Sequence, residues 1–179
     1  VFQGNTSSIS AHLNVPKKYE IAIGAVLGDF ANGVIVKNQS DIDKSLEILE
    51  SGLAKAALLP TKSISPDKTI EIKDFPSALA IGADVVDTSP ELRPTVDLLL
   101  GQVIIVESRK IAKRIMKQIP NRSVAVTLAG ELFYGSGLIL VDHKGGLGVL
   151  GKVREKAELS ERVKQENQKI KDINIEISK

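Results

Sequence analysis

A glycine-rich segment in the last third of the chain has the spacing of a nucleotide-binding loop. Residues 146–151 are formally GxGxxG and residues 146–152 are formally GxxxxGK. A dinucleotide-binding unit needs a strand before this loop, a helix after it and then a second parallel strand. Only a charged helical segment follows here, and Val153 stands where a phosphate-binding loop needs Ser or Thr. We therefore favour the interpretation that this segment is a joint between two structural elements. The alternative is a nucleotide- or small-molecule-binding enzyme domain that uses the loop from Gly146 to Lys152.

Three other residues supply the side-chain types of a hydrolase triad. Ser136, Asp142 and His143 are close in sequence, but Asp142 and His143 are adjacent and would project to opposite faces of a strand. His12 is the only other histidine, and the chain has no cysteine to complete a metal site. The sequence therefore predicts no catalytic centre, no cofactor and no metal ion.

Two halves of the chain repeat one pattern of elements. In each half a helix ends at a glycine, Gly28 or Gly101, and a proline, Pro16 or Pro90, precedes that helix. Proline suits a first helical turn and glycine suits a left-handed helix cap. A strand, an amphipathic helix and a second strand follow, at residues 34–36, 41–51 and 55–59, and again at 103–106, 109–118 and 123–128. Two copies predict a pseudo-symmetric pair rather than a solenoid.

The composition indicates a globular chain with an aliphatic core. Of 179 residues 42% are apolar and only 3% are aromatic, so valine, isoleucine, leucine and alanine must fill the interior. The absence of cysteine fits a reducing compartment, and no apolar run approaches the roughly 20 residues that span a bilayer. We expect no membrane partner, and the net charge of +2 identifies no other partner.

The amphipathic helices of the two halves carry opposite charge. Between Arg109 and Arg122 there are six basic residues and no acidic one, whereas residues 41–50 hold four acids and one lysine. Helical spacing predicts buried stripes at Ile42, Leu46 and Leu49 and at Ile111, Ile115 and Ile119. The second helix then exposes a basic face consisting of Lys110, Lys113, Arg114 and Lys117. Such a face either solubilises the protein or contacts DNA phosphates.

Glycine is concentrated around a short apolar run. Gly130, Gly135 and Gly137 precede residues 138–141, which read Leu-Ile-Leu-Val and are predicted to form a strand. These glycines either form turns and bulges or let a second chain approach and add its own strand. An unpaired apolar edge would otherwise promote aggregation, so we predict that a homodimer forms here.

The charged segment 152–179 has alternating spacings of four and three residues between seam positions. Six residues occupy this seam. Five are apolar and the sixth, Glu166, is polar: Leu159, Val163, Glu166, Ile170, Ile173 and Ile177. This spacing predicts about three heptads of coiled coil, and a surface helix packed on the domain is the alternative. Residues 69–73 alternate apolar and polar and predict an edge strand.

The order of several segments resembles the hinge domain of structural maintenance of chromosomes (SMC) proteins over nearly the whole chain. They are Val-Pro-Lys-Lys-Tyr-Glu at 15–20, Leu-Leu-Pro at 58–60, Gly-Ala-Asp-Val-Val at 82–86, Leu-Leu-Gly at 99–101, residues 124–137, and Val-Leu-Gly-Lys-Val-Arg-Glu at 149–155. Gly130 and Gly137 match the start of the family's glycine signature. Val141 and Asp142 stand where its diglycine belongs, and Gly145 and Gly146 follow four residues later.

The resemblance implies an α/β (α+β) fold of two similar small subdomains in a pseudo-symmetric arrangement, followed by a coiled-coil arm helix. The implied divisions are residues 1–66 for the first hinge subdomain and connector, 67–148 for the second subdomain, and 149–179 for a joint and outgoing arm. The implied function is a non-enzymatic homodimerisation hinge of a chromosome-organising ATPase, cytoplasmic and nucleoid-associated. It would join two arms, pair the first half of one protomer with the second half of the other, and bind DNA weakly without sequence preference.

The candidate site residues form two groups. The dimer interface is predicted at Gly130, Gly135, Gly137, Leu138, Ile139 and Leu140. DNA contacts are predicted at Lys110, Lys113, Arg114 and Lys117, and near the arm junction at Lys152, Arg154 and Lys156. No small-molecule substrate is expected.

Overall fold

The computed structural model of the protein describes residues 8–51, 56–62, 64–141 and 149–177. Within these ranges the helices are α1 (Glu20–Leu27), α2 (Gln39–Ser51), α3 (Arg93–Leu100), α4 (Arg109–Ile115) and α5 (Val149–Ile177). The strands are β1 (Val34–Val36), β2 (Leu58–Pro60), β3 (Ala80–Ile81), β4 (Val103–Val106), β5 (Val124–Thr127), β6 (Leu132–Tyr134) and β7 (Ile139–Leu140). No helix in this part of the chain combines the length and the hydropathy that crossing a bilayer requires.

The first half contains a parallel β-α-β unit. β1 and β2 pair in parallel, with Val34 opposite Leu58, and α2 lies between them in the chain. The β-branched residues of β1 favour an extended backbone. Asn38 caps α2 by accepting a 2.9 Å hydrogen bond from the backbone amide of Asp41. α1 precedes the unit and ends at Gly28, whose φ of +49° favours glycine.

The second half repeats this unit inside a larger sheet of order β3-β4-β5-β6-β7. β4 and β5 are parallel, with Val103 opposite Val124, and α4 lies between them in the chain. The other neighbouring strands of the sheet are antiparallel. The duplicated order of helix, strand, helix and strand is thereby confirmed, and the second copy carries three additional strands.

The two halves share an apolar core on one face of the large sheet. There α1 packs with α3, β4 and β5 through Ala22, Ile23, Leu27, Leu100, Val103, Ile105 and Val126. On the opposite face α4 covers the sheet through Ala112, Ile115, Ile104, Val106, Ala125 and Phe133. Successive side chains of a strand point to opposite faces, so a strand covered on both sides reads as an uninterrupted apolar run, as β4 does.

The predicted strand at residues 69–73 is wrong. The backbone amide of Ile70 donates a 3.0 Å hydrogen bond to the carbonyl oxygen of Gly101, and a short 3-10 turn follows at Ile72–Asp74. The Glu71 carboxylate lies between the ammonium groups of Lys68 and Lys73, and its hydrogen bond to Lys73 is the main cause that lowers the pKa of Glu71. The backbone hydrogen bond and the 3-10 turn keep this segment at the surface and outside the sheet, whereas the exposed ion pairs contribute little free energy.

Two further expectations about individual residues are also wrong. Leu46 of α2 is 48% exposed, and Ser45 is buried instead with its hydroxyl donating a 2.6 Å hydrogen bond to the Asp41 carbonyl oxygen. Gly101 has a right-handed backbone with φ −68° and is no left-handed cap. It favours glycine for a different reason, because a Cβ at this position would overlap the Asp97 carbonyl oxygen.

α5 leaves the domain as an exposed helix. Its 29 residues extend over about 43 Å at 1.5 Å per residue. Leu150 near its start is only 5% exposed, whereas the described side chains of residues 155–171 are all exposed, including Leu159, Val163 and Ile170. The alternative of a helix packed along the domain is therefore wrong, and the apolar seam is open as in an unpaired coiled-coil arm. The side chains of Ile173 and Ile177 lie outside the described part.

Candidate dimerisation surface, basic face and arm junction

β7 forms an exposed apolar edge of the large sheet. It pairs with β6 through Leu140 opposite Leu132, and no described strand pairs with its other side. The side chains in and beside β7 are exposed by 69% at Leu138, 49% at Ile139, 56% at Leu140 and 37% at Val141. Four consecutive apolar side chains beside unpaired backbone groups form a surface that a second strand would complete.

An open groove of about 630 Å³ adjoins β7 and is lined by both halves of the chain. The first half contributes the end of α1 and the 3-10 segment after it, including Val26 and Phe30, and the second half contributes Tyr134 and Leu140. Phe30 is 48% exposed, so apolar surface continues from β7 across the groove. Sequence patterns did not predict this groove, because its walls come from distant parts of the chain. The sequence signal for this surface is Phe30, an aromatic residue between Gly28 and Gly33.

The three glycines of the predicted interface occupy different environments. At Gly135 a Cβ would overlap the Pro120 carbonyl oxygen, so this glycine packs against the backbone of its own chain. Gly130 has a φ of +83°, and a Cβ there would lie 3.2 Å from the Ile21 side chain of α1. Gly137 has a φ of +93° and faces open space. Turn geometry and close packing account for all three, and their contact with a second chain stays a prediction.

α4 and the turn after it present exposed lysines. Lys110, Lys113 and Lys117 are exposed, and none forms an ion pair with a residue in the described part of the chain. Arg114 is also exposed and donates a 2.5 Å hydrogen bond to the Ser77 hydroxyl. These four side chains leave their cationic groups accessible to an anionic partner such as DNA phosphate.

Arg109 at the start of α4 has a structural partner. Its guanidinium donates to the carboxylate of Glu131, which is only 8% exposed. This hydrogen bond, followed by the Coulomb attraction of the same carboxylate, raises the pKa of Arg109 above its ordinary value. Pairing satisfies a carboxylate that would otherwise be buried without a counter-charge. Arg109 thus ties α4 to the loop between β5 and β6.

The base of α5 is joined to α1 by an ion pair that the sequence did not predict. The Arg154 guanidinium pairs with Glu20, whose side chain is 9% exposed. The Nε atom of Arg154 lies 3.4 Å from Oε1 of Glu158. Arg154 is therefore engaged inside the chain, so the DNA contact predicted for it would compete with this pair. Lys156 is exposed, and the side chain of Lys152 lies outside the described part.

The residues that suggested catalysis are not brought together in the described part of the chain. Ser136 is exposed in the turn between β6 and β7, while Asp142, His143 and Gly146 lie outside the described residues. α5 begins at Val149, so the last residues of the candidate nucleotide loop are helical. Among the described residues no group of three or more metal-binding side chains occurs.

Comparisons with known proteins agree with this architecture. The family described as SMC proteins Flexible Hinge Domain matches residues 2–116. A chromosome partition protein Smc from Myxococcus xanthus is 31% identical over an alignment of 179 positions. The alignment covers 96% of this chain and 15% of that protein. The corresponding protein from Bacillus subtilis is 26% identical over an alignment of 166 positions. This alignment covers 88% of this chain and 14% of that protein. The chain thus spans about 15% of the length of these relatives.

Two solved structures have a similar fold. The crystal structure of the Pyrococcus furiosus SMC protein hinge domain has a TM-score of 0.65 and 26% identity, covering 80% of this chain and 75% of that one. An asymmetric dimer of the Geobacillus stearothermophilus SMC hinge domain has a TM-score of 0.74 and 24% identity, covering 92% of this chain and 69% of that one. At 24% identity, the similarity to the Geobacillus stearothermophilus structure shows a shared fold and nothing further.

Proposed function

The chain belongs to the family of SMC flexible hinge domains, and from this premise we propose that it is a non-enzymatic homodimerisation hinge of a chromosome-partition ATPase. The observation that carries the proposal is the exposed apolar edge strand β7 with the groove beside it. Two copies would pair the first half of one protomer with the second half of the other. The exposed α5 helices would then continue as two coiled-coil arms joined at the hinge.

Apolar burial and strand addition supply the free energy of this contact. A second chain would bury the exposed leucines of β7 and pair with its free backbone groups, and both contributions are insensitive to salt. The opposite charges of α2 and α4 favour contacts between a first half and a second half, but exposed ion pairs contribute little free energy. The dimer should therefore persist at high ionic strength.

The mass of the protein in solution tests this proposal directly. Light scattering across a dilution series should give twice the chain mass of 19.2 kDa at micromolar concentration, in low salt and in 1 M salt alike. A mass that stays monomeric at these concentrations would refute the homodimer. A dimer that dissociates on adding salt would show that charge, and not the apolar edge, holds the two chains together.

The hinge also binds DNA weakly and without sequence preference in this proposal, chiefly through Lys110, Lys113 and Lys117. Their exposure and the absence of competing carboxylates among the described residues support this role. Arg114 beside them and Lys152, Arg154 and Lys156 at the arm junction are further candidates, although Arg154 would first have to leave Glu20. Binding would rest on the release of counterions from phosphates and would weaken steeply with salt.

Charge reversal tests the DNA proposal. Replacing Lys110, Lys113 and Lys117 with glutamate should flatten the plot of log affinity against log salt by up to about 0.9 per lost phosphate contact. The matched control replaces Lys44, Lys62 and Lys171 with glutamate. These lysines are exposed, lie outside α4 and form no ion pair with a described residue, and the change in net charge is equal. An equal change of slope in both variants would show that DNA binding depends on the net charge of the protein and not on the position of these lysines. An unchanged slope in the α4 variant would place the DNA contact at Lys152 to Lys156.

A further inference from the structure

Among the described side chains of α5, those that attach the helix to the domain lie at its base. Leu150 is 5% exposed and belongs to the core that contains Ala22 and Ile23 of α1. Arg154, one helical turn later, forms the ion pair with Glu20. Beyond these two residues the described side chains of the helix are exposed. The direction of a helix about 43 Å long therefore depends on contacts made within its first two turns.

The Glu20 carboxylate gives this attachment its strength. Glu20 is the first residue of α1 and is 7% exposed, so its charge has lost most of its water. A buried carboxylate is stable when a cation pairs with it and when it lies at a helix N-terminus, and Glu20 has both. If α5 tilted away, the Glu20 carboxylate would lose its counter-charge. Tilting is therefore opposed by more than the loss of one surface contact.

The two contacts differ in what they restrain. Leu150 and Arg154 are four residues apart, so they lie on one face of α5, about 6 Å apart along its axis. Packing of Leu150 is non-directional and by itself lets the helix pivot. Arg154 approaches Glu20 through Nη1 while its Nε lies 3.4 Å from the carboxylate of Glu158, and this directional contact restricts that freedom. The base of α5 also contacts the 3-10 segments Ile9–His12 and Gly28–Asn32, and the ion pair adds a directional restraint to this packing.

We propose that the Glu20–Arg154 ion pair is a latch that sets the direction in which the arm helix leaves the hinge. The proposal rests on the role of α5 as the arm, but it does not depend on whether the chain dimerises. It assigns Arg154 a mechanical role within the chain, which any DNA contact of Arg154 would have to displace.

Distance measurements between two spin labels test the latch. The chain has no cysteine, so Leu98→Cys in α3 and Lys171→Cys in α5 give two unique, exposed labelling sites. Dilution with unlabelled protein isolates the distance within one chain. Residue 171 is about 25 Å along the helix from Arg154, so a tilt of about 15° moves its label by about 6 Å. The latched arm should give one narrow distance, and Arg154→Met or Glu20→Gln should broaden it.

Two further variants separate the latch from other causes. Arg162→Met is the matched control, because Arg162 is exposed, lies two turns further along α5 and pairs with no described carboxylate, so the distance should stay narrow. The double variant Glu20→Gln with Arg154→Met removes both charges and leaves neither one buried alone, so it should fold even where a single variant does not. A narrow, unchanged distance in the folded double variant would overturn the latch. This result would leave the dimer proposal intact, and a monomeric wild type would not affect the latch.

Discussion

Replacing Leu140 with alanine tests the proposed dimer interface most sharply, because this side chain belongs both to β7 and to the groove. Fully burying a leucine contributes about 1.5–3 kcal/mol, and 56% of this side chain is still exposed in the single chain. Alanine keeps one of the four side-chain carbons, so the substitution should forfeit about 1 kcal/mol per protomer.

The symmetry of a homodimer doubles this effect. An interface related by a two-fold axis uses the same residue on both chains, so the dimer should lose about 2 kcal/mol. This loss corresponds to a dissociation constant about 30-fold higher. Because more than half of Leu140 is exposed in the monomer, the melting temperature of the dissociated chain should change little.

Sedimentation equilibrium over a dilution series measures the dissociation constant of each variant. The matched control is Leu98→Ala, because Leu98 is 50% exposed on α3 and does not line the groove. Surface substitutions away from special features change free energies by about 0.5 kcal/mol, or about twofold in an equilibrium constant. If Leu140→Ala weakened the dimer no more than this control does, the reasoning that places β7 in the interface would be refuted.

Three further predictions concern folding and ligands. Gly135→Ala should destabilise the fold by about 1–3 kcal/mol, or about 2–4 °C in melting temperature per kcal/mol, because a Cβ would overlap the Pro120 carbonyl oxygen; a weaker dimer with an unchanged melting temperature would instead identify Gly135 as an interface residue. Thr61→Val should stabilise the chain by about 0.5–2 kcal/mol in thermal melts, since the buried Thr61 hydroxyl has no hydrogen-bond partner among the described residues, and a destabilised variant would contradict this reasoning. Millimolar ATP or NAD should leave the melting temperature unchanged, whereas a ligand at 100 times its dissociation constant would add about 2.7 kcal/mol and revive the enzyme alternative.

The repeated architecture could be predicted from the sequence because its signals are local. The apolar run from Val103 to Val106, rich in β-branched residues, is typical of a strand covered on both faces, and β4 is such a strand. The alternation between strand and amphipathic helix indicates a parallel pair in each half, and the register of β1 with β2 and of β4 with β5 has this direction. Helical spacing alone could not decide whether Ser45 or Leu46 is buried in α2. That choice depends on which neighbouring elements cover the helix.

The site was less predictable because its parts are distant in sequence. Glu20 and Arg154 are 134 positions apart, so the charge pattern around Arg154 indicated a free basic residue near the arm junction. The pairing appears only when α1 and α5 pack together. Gly135 similarly suggested an open backbone, yet the carbonyl of Pro120 fills the space beside it. Glycine density drew attention to this region without showing which of its glycines face solvent.

α1 has a structural position that its composition does not reveal. The sequence predicted a helix between Pro16 and Gly28, and its apolar residues Ile23 and Leu27 enter the shared core. Its first residue, Glu20, holds the base of α5, while Val26 near its other end lines the groove beside β7. A helix of eight residues is only about 12 Å long, so the base of the arm and the proposed dimer surface lie on one short, rigid element. Substitutions inside α1 would therefore disturb both at once. Substitutions in the elements that contact its two ends, Arg154→Met in α5 and Leu140→Ala in β7, separate the arm from the dimer.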